Sequence, residues 1–81
     1  MEGVEVNRPY IHFKGRLYFV HSIVDHTETG EKLVVYQALY PPYGMYTRSF
    51  EMFIEKIDPN RADNVTGQEK RFELFNGELN F

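Results

Sequence analysis

The sequence predicts a mainly β domain of five short strands, curled into a small, partly open barrel, with a short helical turn before the last strand. Three observations indicate this. Apolar side chains recur mainly with a two-residue period, which is typical of strands. Gly, Pro and short polar residues interrupt that pattern, as turns do. The chain has 81 residues and no cysteine, so its core must hold by packing, for which 42% hydrophobic and 16% aromatic residues are available.

The first strand is predicted over residues 8–14. In this segment Ile11 and Phe13 alternate with three residues that we assign to a solvent-exposed face: Tyr10, His12 and Lys14. Gly15 then predicts a tight reversal into the second strand, so the first two strands form a hairpin.

Composition and turn residues predict the next three strands. Residues 17–24 are rich in aromatic and β-branched side chains, which favour a strand. The polar segment 25–31 predicts a hairpin loop. Residues 32–40 are largely apolar on both faces, which is typical of a central strand. The Pro41-Pro42-Tyr43-Gly44 segment predicts a turn, after which residues 45–48 form the fourth strand.

The period changes after the fourth strand. Ser49 is a good N-cap residue, and Phe50, Phe53 and Ile54 follow it at helical spacing, which predicts a helix of one or two turns. Residues 71–75 alternate again and predict the fifth strand.

This order of elements favours an SH3-like barrel, in which a short helical turn before the final strand is common. An OB-type barrel is the alternative, although it would place a longer helix between its third and fourth strands. We expect a single domain over residues 8–75, with loosely ordered termini at 1–7 and 76–81.

The charge distribution restricts the kinds of partner. The formal net charge of −3 argues against nucleic acid held by bulk electrostatics. Residues 8–48 nevertheless carry five basic and three acidic side chains, so a small anionic ligand is compatible with this part. No apolar stretch reaches the length of a membrane helix and the N-terminus lacks the pattern of a secretory signal, so we expect a cytoplasmic location and no membrane partner.

Several motifs resemble the bacterial domain-of-unknown-function family DUF1653, over about residues 8–75. They are Tyr10-x-His12-Phe13-Lys14-Gly15, His26-x-Glu28-Thr29-Gly30-Glu31, Leu33-Val34-Val35-Tyr36-Gln37-Ala38-Leu39-Tyr40, Arg48, Met52-Phe53-x-Glu55 and Arg71-Phe72. The chain departs from the family pattern at Tyr46, where Trp is usual, at Ser49, where Pro is usual, and in a longer loop at 59–69. The resemblance implies a small bacterial protein and carries no established activity.

A candidate ligand site follows from the predicted faces. Imidazole, ammonium and guanidinium groups beside tyrosine rings could hold a carboxylate, a phosphate or a nucleotide, because Arg binds oxyanions through two donors and rings stack on planar groups. The predicted ligand-binding residues are Tyr10, His12, Lys14, Tyr36, Gln37, Tyr46 and Arg48. For Gln37, a hydrogen-bonded structural amide is the alternative, and for the tyrosine rings it is packing in the core.

The sequence therefore favours a binding or interaction module for an anionic small molecule, nucleotide or peptide. A structural domain that forms a homodimer or docks a partner through its aromatic cluster is the second hypothesis. A metal-dependent or acid-base enzyme is the third, and no catalytic motif supports it. Asp25, His26 and Glu28 lie close together, but they lack the spacing of a metal site, so we predict a solvated loop there, with no metal, cofactor or catalytic residue.

Overall fold

The computed structural model describes residues 3–77 and shows a mainly β domain with one short helix. All five strands are antiparallel and belong to one sheet. The elements are β1 Arg8–His12, β2 Leu17–Asp25, β3 Lys32–Ala38, β4 Met45–Ser49, α1 Phe50–Phe53 and β5 Phe72–Leu74. The predicted fold class, with a helical turn before the last strand, is confirmed. No helix within the described residues is long and apolar enough to cross a membrane.

The sheet has the order β4-β3-β2-β1-β5, so the chain runs as a meander and β5 returns to pair with β1. The central strand is therefore β2, whereas the sequence predicts β3. The sheet is not closed, because β4 and β5 are both edge strands. It is nevertheless strongly curled, since the guanidinium carbon of Arg48 on β4 lies 5.8 Å from the ring centroid of Phe72 on β5. The SH3-like assignment of this topology stays a prediction.

The strand register defines a core face and an outer face. Tyr10 lies opposite Tyr18, and Val20 lies opposite Tyr36, so all four side chains share the core face. On β2 the register shifts between Val20 and Ser22, which is a β-bulge. Beyond the bulge Ile23, opposite the fully buried Val34, continues the core face.

The predicted solvent exposure of Tyr10 and His12 is wrong, although Phe13 on the opposite face is buried, as its place in the pattern indicated. Tyr10 is only 4% exposed and belongs to the core cluster, whereas Ile11 is on the outer face and half-buried. The pattern misled because a tyrosine ring buries as well as a phenylalanine ring when its hydroxyl has a partner. That partner is Glu5, whose backbone N–H donates to the Tyr10 hydroxyl at 2.8 Å.

The segment before β1 packs on the domain. Val4 is 2% exposed and lies in the same core cluster as Tyr10. The predicted domain bounds of 8–75 therefore leave out a core residue. The predicted C-terminal segment 76–81 lies in part, at 78–81, outside the described residues.

Phe72 lies at the centre of the core. Its ring stacks on Phe53 of α1, with centroids 4.1 Å apart and planes 1° apart, and meets Tyr36 edge-on at 5.3 Å. The helix that supplies Phe53 begins as predicted, since Ser49 is its N-cap and the Ser49 hydroxyl accepts from the backbone N–H of Met52. Packing around Phe72 thus joins the helix, β3 and β5 into one core.

Replacement of the central ring should destabilise the domain much more than the same change on the outer face. We expect Phe72→Leu to lower the free energy of unfolding by about 1–2 kcal/mol, because it removes ring contacts and leaves space that the core can fill only partly. Phe19→Leu, at a half-buried position on the outer face, is the matched control and should cost less than about half as much. Urea denaturation of both variants measures the difference, and equal losses would contradict the central position of Phe72.

Candidate functional site

The predicted ligand-binding residues divide between three places in the fold. Gln37 lies on the outer face, opposite Phe19 and Met45. Lys14 is exposed in the turn after β1. The other five residues share the core face, because β1, β3 and β4 each present them on the same side of the sheet: Tyr10, His12, Tyr36, Tyr46 and Arg48.

Gln37 has a structural environment. Its side-chain oxygen is 2.8 Å from His21 Nε2, and its amide nitrogen donates to the backbone oxygen of Tyr43 at 2.9 Å. Both ends of the amide are therefore bonded within the protein, and the side chain anchors the turn between β3 and β4. This arrangement separates Gln37 from the residues on the core face.

Tyr10 and Tyr36 are buried and form part of the floor of the site. Tyr36 is 5% exposed, and its hydroxyl accepts from Arg48 Nε at 3.3 Å. The Tyr10 hydroxyl is occupied by the N-terminal segment. A ligand could therefore reach these two residues only at their edges, which corrects the assignment of Tyr10 to a solvent-exposed surface.

A row of four tyrosines crosses the open part of the core face, and we call it the tyrosine face. The ring centroids of Tyr18 and Tyr36 are 5.4 Å apart, those of Tyr18 and Tyr40 are 5.6 Å apart, and those of Tyr36 and Tyr46 are 5.8 Å apart. Tyr18 and Tyr40 are half-buried, and Tyr46 is 45% exposed. These rings offer planar surfaces for stacking.

Tyr18 and Tyr40 are the members of the tyrosine face that were not among the predicted ligand-binding residues. The Tyr18 hydroxyl lies 2.6 Å from that of Tyr40. Burial and this hydrogen bond raise the pKa of Tyr18, so the phenol stays protonated. Because β1 pairs with β2, the position of Tyr18 opposite Tyr10 could have been found once Tyr10 was placed on the core face.

Two cations, Arg16 and Arg48, lie against aromatic rings of the site, and neither forms an ion pair within residues 3–77. The ion pairs among residues 3–77 are Arg8 with Glu5, Lys32 with Asp25, Arg61 with Asp63, and Arg71 with Glu55. None of them involves Lys14, Arg16 or Arg48. The guanidinium carbon of Arg16 lies 4.5 Å from the Tyr40 ring centroid, and Arg48 lies over Phe72. Arg16 was not among the residues predicted from the sequence, and it enters the site because Tyr40 lies over the start of β2.

Burial and nearby positive charge both disfavour the protonated form of His12. Burial, followed by the charges of Arg71, Arg48 and Lys14, lowers the pKa of His12 to about 4. The ring stacks on Phe13 with centroids 4.3 Å apart, and its Nδ1 accepts from the backbone N–H of Lys14 at 3.1 Å. His12 is therefore neutral near pH 7 and carries its proton on Nε2.

The loop that joins β2 and β3 has its own internal hydrogen bonds. His26 Nδ1 accepts from the backbone N–H groups of Glu28 and Thr29, and the Thr29 hydroxyl accepts from that of Glu31. Across residues 3–77 there is no group of three or more His, Asp or Glu side chains placed to hold a metal ion. The imidazole of His26 thus organises a turn.

Comparison with known proteins identifies related chains. The model of the family described as "Protein of unknown function (DUF1653)" matches residues 8–74. The crystal structure of a DUF1653 protein from Bordetella bronchiseptica is similar, with 29% sequence identity and a TM-score of 0.74 over 99% of this chain and 96% of that one. A search of the curated proteins finds no match.

The environment of His12 predicts a pH dependence of stability. The folded state resists protonation of His12 down to about pH 4, whereas an unperturbed imidazole binds a proton near 6.5. The unfolded chain therefore binds more protons between these values, and the free energy of unfolding falls as the pH is lowered through that window. We expect His12→Gln to flatten this fall.

Chemical denaturation between about pH 7 and about pH 5 measures this effect, above the range where most carboxylates titrate. His21→Gln, which removes an imidazole on the outer face, is the control and should keep the wild-type slope. A His12→Gln protein whose stability falls as steeply as that of the wild type would contradict the assignment.

Proposed function

This chain belongs to the DUF1653 family, and we propose that it is a binding module that holds an anionic ligand against the tyrosine face. The observation that carries this proposal is the environment of Arg48, which has no carboxylate partner within residues 3–77. Arg48 is a half-buried residue whose guanidinium lies above Phe72 and donates to the Tyr36 hydroxyl.

A partly desolvated cation is costly unless something compensates its charge. The aromatic rings compensate it only in part, since a cation over a ring gains about 0.5–2 kcal/mol. An oxyanion would satisfy the remaining guanidinium donors through charge-assisted hydrogen bonds. Arg16, whose guanidinium lies over the Tyr40 ring, adds positive charge at the same surface, so the site attracts anions although the whole chain is acidic.

The tyrosine rings narrow the class of ligand. A ring or another planar group stacks on them, while the anionic group reaches Arg48. A nucleotide combines both features in one small molecule, a phosphate alone has only the second, and an acidic peptide presents carboxylates on an extended chain. The proposal retains the bacterial and cytoplasmic setting that the sequence predicts.

His12 couples this binding to pH. An anion at Arg48 would reduce the positive potential that disfavours the imidazolium, so the pKa of His12 should rise when a ligand binds. By linkage, the affinity should then increase as the pH is lowered toward the pKa of His12 in the complex.

Chemical-shift mapping on labelled protein at low salt tests the proposal, with AMP as the probe and adenosine and inorganic phosphate as its two parts. We expect AMP to shift the resonances of Tyr18, Tyr46, Arg48 and His12 more strongly than either part does. Arg48→Gln should weaken AMP binding at least about tenfold, because it removes charge-assisted hydrogen bonds of about 1.5–3 kcal/mol.

Arg8→Gln is the matched control, since the Arg8 guanidinium is already paired with the Glu5 carboxylate. It should leave AMP binding unchanged. Equal binding by Arg48→Gln and wild type, or shifts confined to the outer face, would contradict the proposal. A response to an acidic peptide without a response to AMP would keep the anion site and exclude the nucleotide.

A further inference from the structure

The free edge of β4 points to an interaction beyond ligand binding. We propose that two copies of this chain associate by antiparallel pairing of their β4 strands around a two-fold axis centred on Thr47, so that the two sheets become continuous. The free backbone groups of β4, the side chains around it and the register that the two-fold axis imposes all favour this association.

The register shows which backbone groups of β4 are free. The backbone N–H of Ala38 donates to the oxygen of Gly44, so this pair is a hydrogen-bonded one. Hydrogen-bonded and non-hydrogen-bonded pairs alternate along an antiparallel ladder, so Tyr46 and Arg48 use their backbone groups to bind β3. Those of Met45 and Thr47 consequently point away from the sheet, toward the open edge.

This edge lacks the features that normally prevent pairing. The segment Met45–Ser49 contains no proline and no lysine, and its register against β3 has no bulge. The opposite edge is different, because β5 has only three residues and the chain before it is held in an isolated bridge between Lys56 and Lys70. Of the two edges, β4 is the one that can accept another strand.

Exposed apolar side chains gather around the same edge. Seven large apolar side chains are exposed among the described residues, and four of them lie on β4 or beside it: Tyr43 at 51%, Met45 at 57%, Tyr46 at 45% and Met52 at 47%. A shallow cavity of about 560 Å³ also opens here, and Thr47, Arg48 and Met52 are part of its lining. A second chain on this edge would cover these groups.

The two-fold register is self-complementary. With Thr47 opposite the partner subunit's Thr47, the two residues exchange both backbone hydrogen bonds. Tyr46 then lies opposite Arg48 of the partner subunit on the core face, as a non-hydrogen-bonded pair with Cα atoms about 4.5 Å apart. This spacing brings the phenol ring of one copy within reach of the Arg48 side chain of the other, twice per dimer. The symmetric pairing thus places each cation beside a ring and not beside another cation.

Disulfide trapping tests this register, since the chain has no cysteine of its own. Thr47→Cys should form a covalent dimer under mild oxidation, because facing residues of a hydrogen-bonded pair have Cα atoms about 5.5 Å apart, within disulfide range. Met45→Cys is the matched control. It is on the same strand and highly exposed, but the register separates the two copies of position 45 by about 14 Å. Equal cross-linking of both variants, or of neither, would overturn the proposal.

Sedimentation of the cysteine-free chain provides a second test. We expect a concentration-dependent species of twice the 9.6 kDa chain mass. Thr47→Pro should weaken this association at least about tenfold, since proline removes the outward N–H while leaving the bonds to β3 in place. Thr47→Val keeps the N–H and should still dimerise. A wild type that remains monomeric at millimolar concentration would overturn the proposal.

The outcome can be separated from that of the proposed ligand site. A folded Thr47→Pro monomer that still binds AMP would support the dimer and leave the anion site independent of it. A dimer that forms equally well without a response to AMP would exclude the ligand site alone.

Discussion

The position of the Phe72 ring is the constraint on which the rest of this small structure depends. Phe72 is on the last strand, yet its ring lies against Phe53 of the helix and Tyr36 of β3, and beneath Arg48 of the opposite edge. An open five-stranded sheet can bring these elements to one ring only by curling. The short helix then covers the core at the gap between the two edges, and a chain without disulfides gains a single continuous core.

The ends of the helix and of the first strand were predictable because they follow from local chemistry. Ser49 caps the helix by accepting from Met52, and glycine at position 15 adopts the positive φ of +94° that the first reversal needs. The face of β1 was not predictable in the same way. Whether a tyrosine is inside or outside depends on a partner for its hydroxyl, and for Tyr10 that partner is the backbone of Glu5, which no periodicity reveals.

The candidate site shows the same division between local and long-range information. The sequence identified Arg48, His12 and Tyr46, and the register brings them to one face. It could not identify Arg16, because the place of this residue depends on how the chain returns at Tyr40. It also could not separate Gln37 from the other residues, because the face on which Gln37 lies is known only once the strand register is known. Local positive charge at the site coexists with an acidic chain, and it adds to burial, which is the larger cause, in lowering the pKa of His12.

The β-bulge at His21 has a consequence for how β2 can change over evolution. Before the bulge the even-numbered positions 18 and 20 face the core, and after it the odd-numbered position 23 does so. Apolar side chains are therefore needed at even-numbered positions in the first half of the strand and at odd-numbered positions in the second half. Deletion of the extra residue, His21, would restore regular alternation with Val20 still opposite Tyr36 and Ile23 still opposite Val34, whereas deletion within either half would turn part of the strand inside out. The bulge is therefore the position at which β2 can lose a residue and keep its core face.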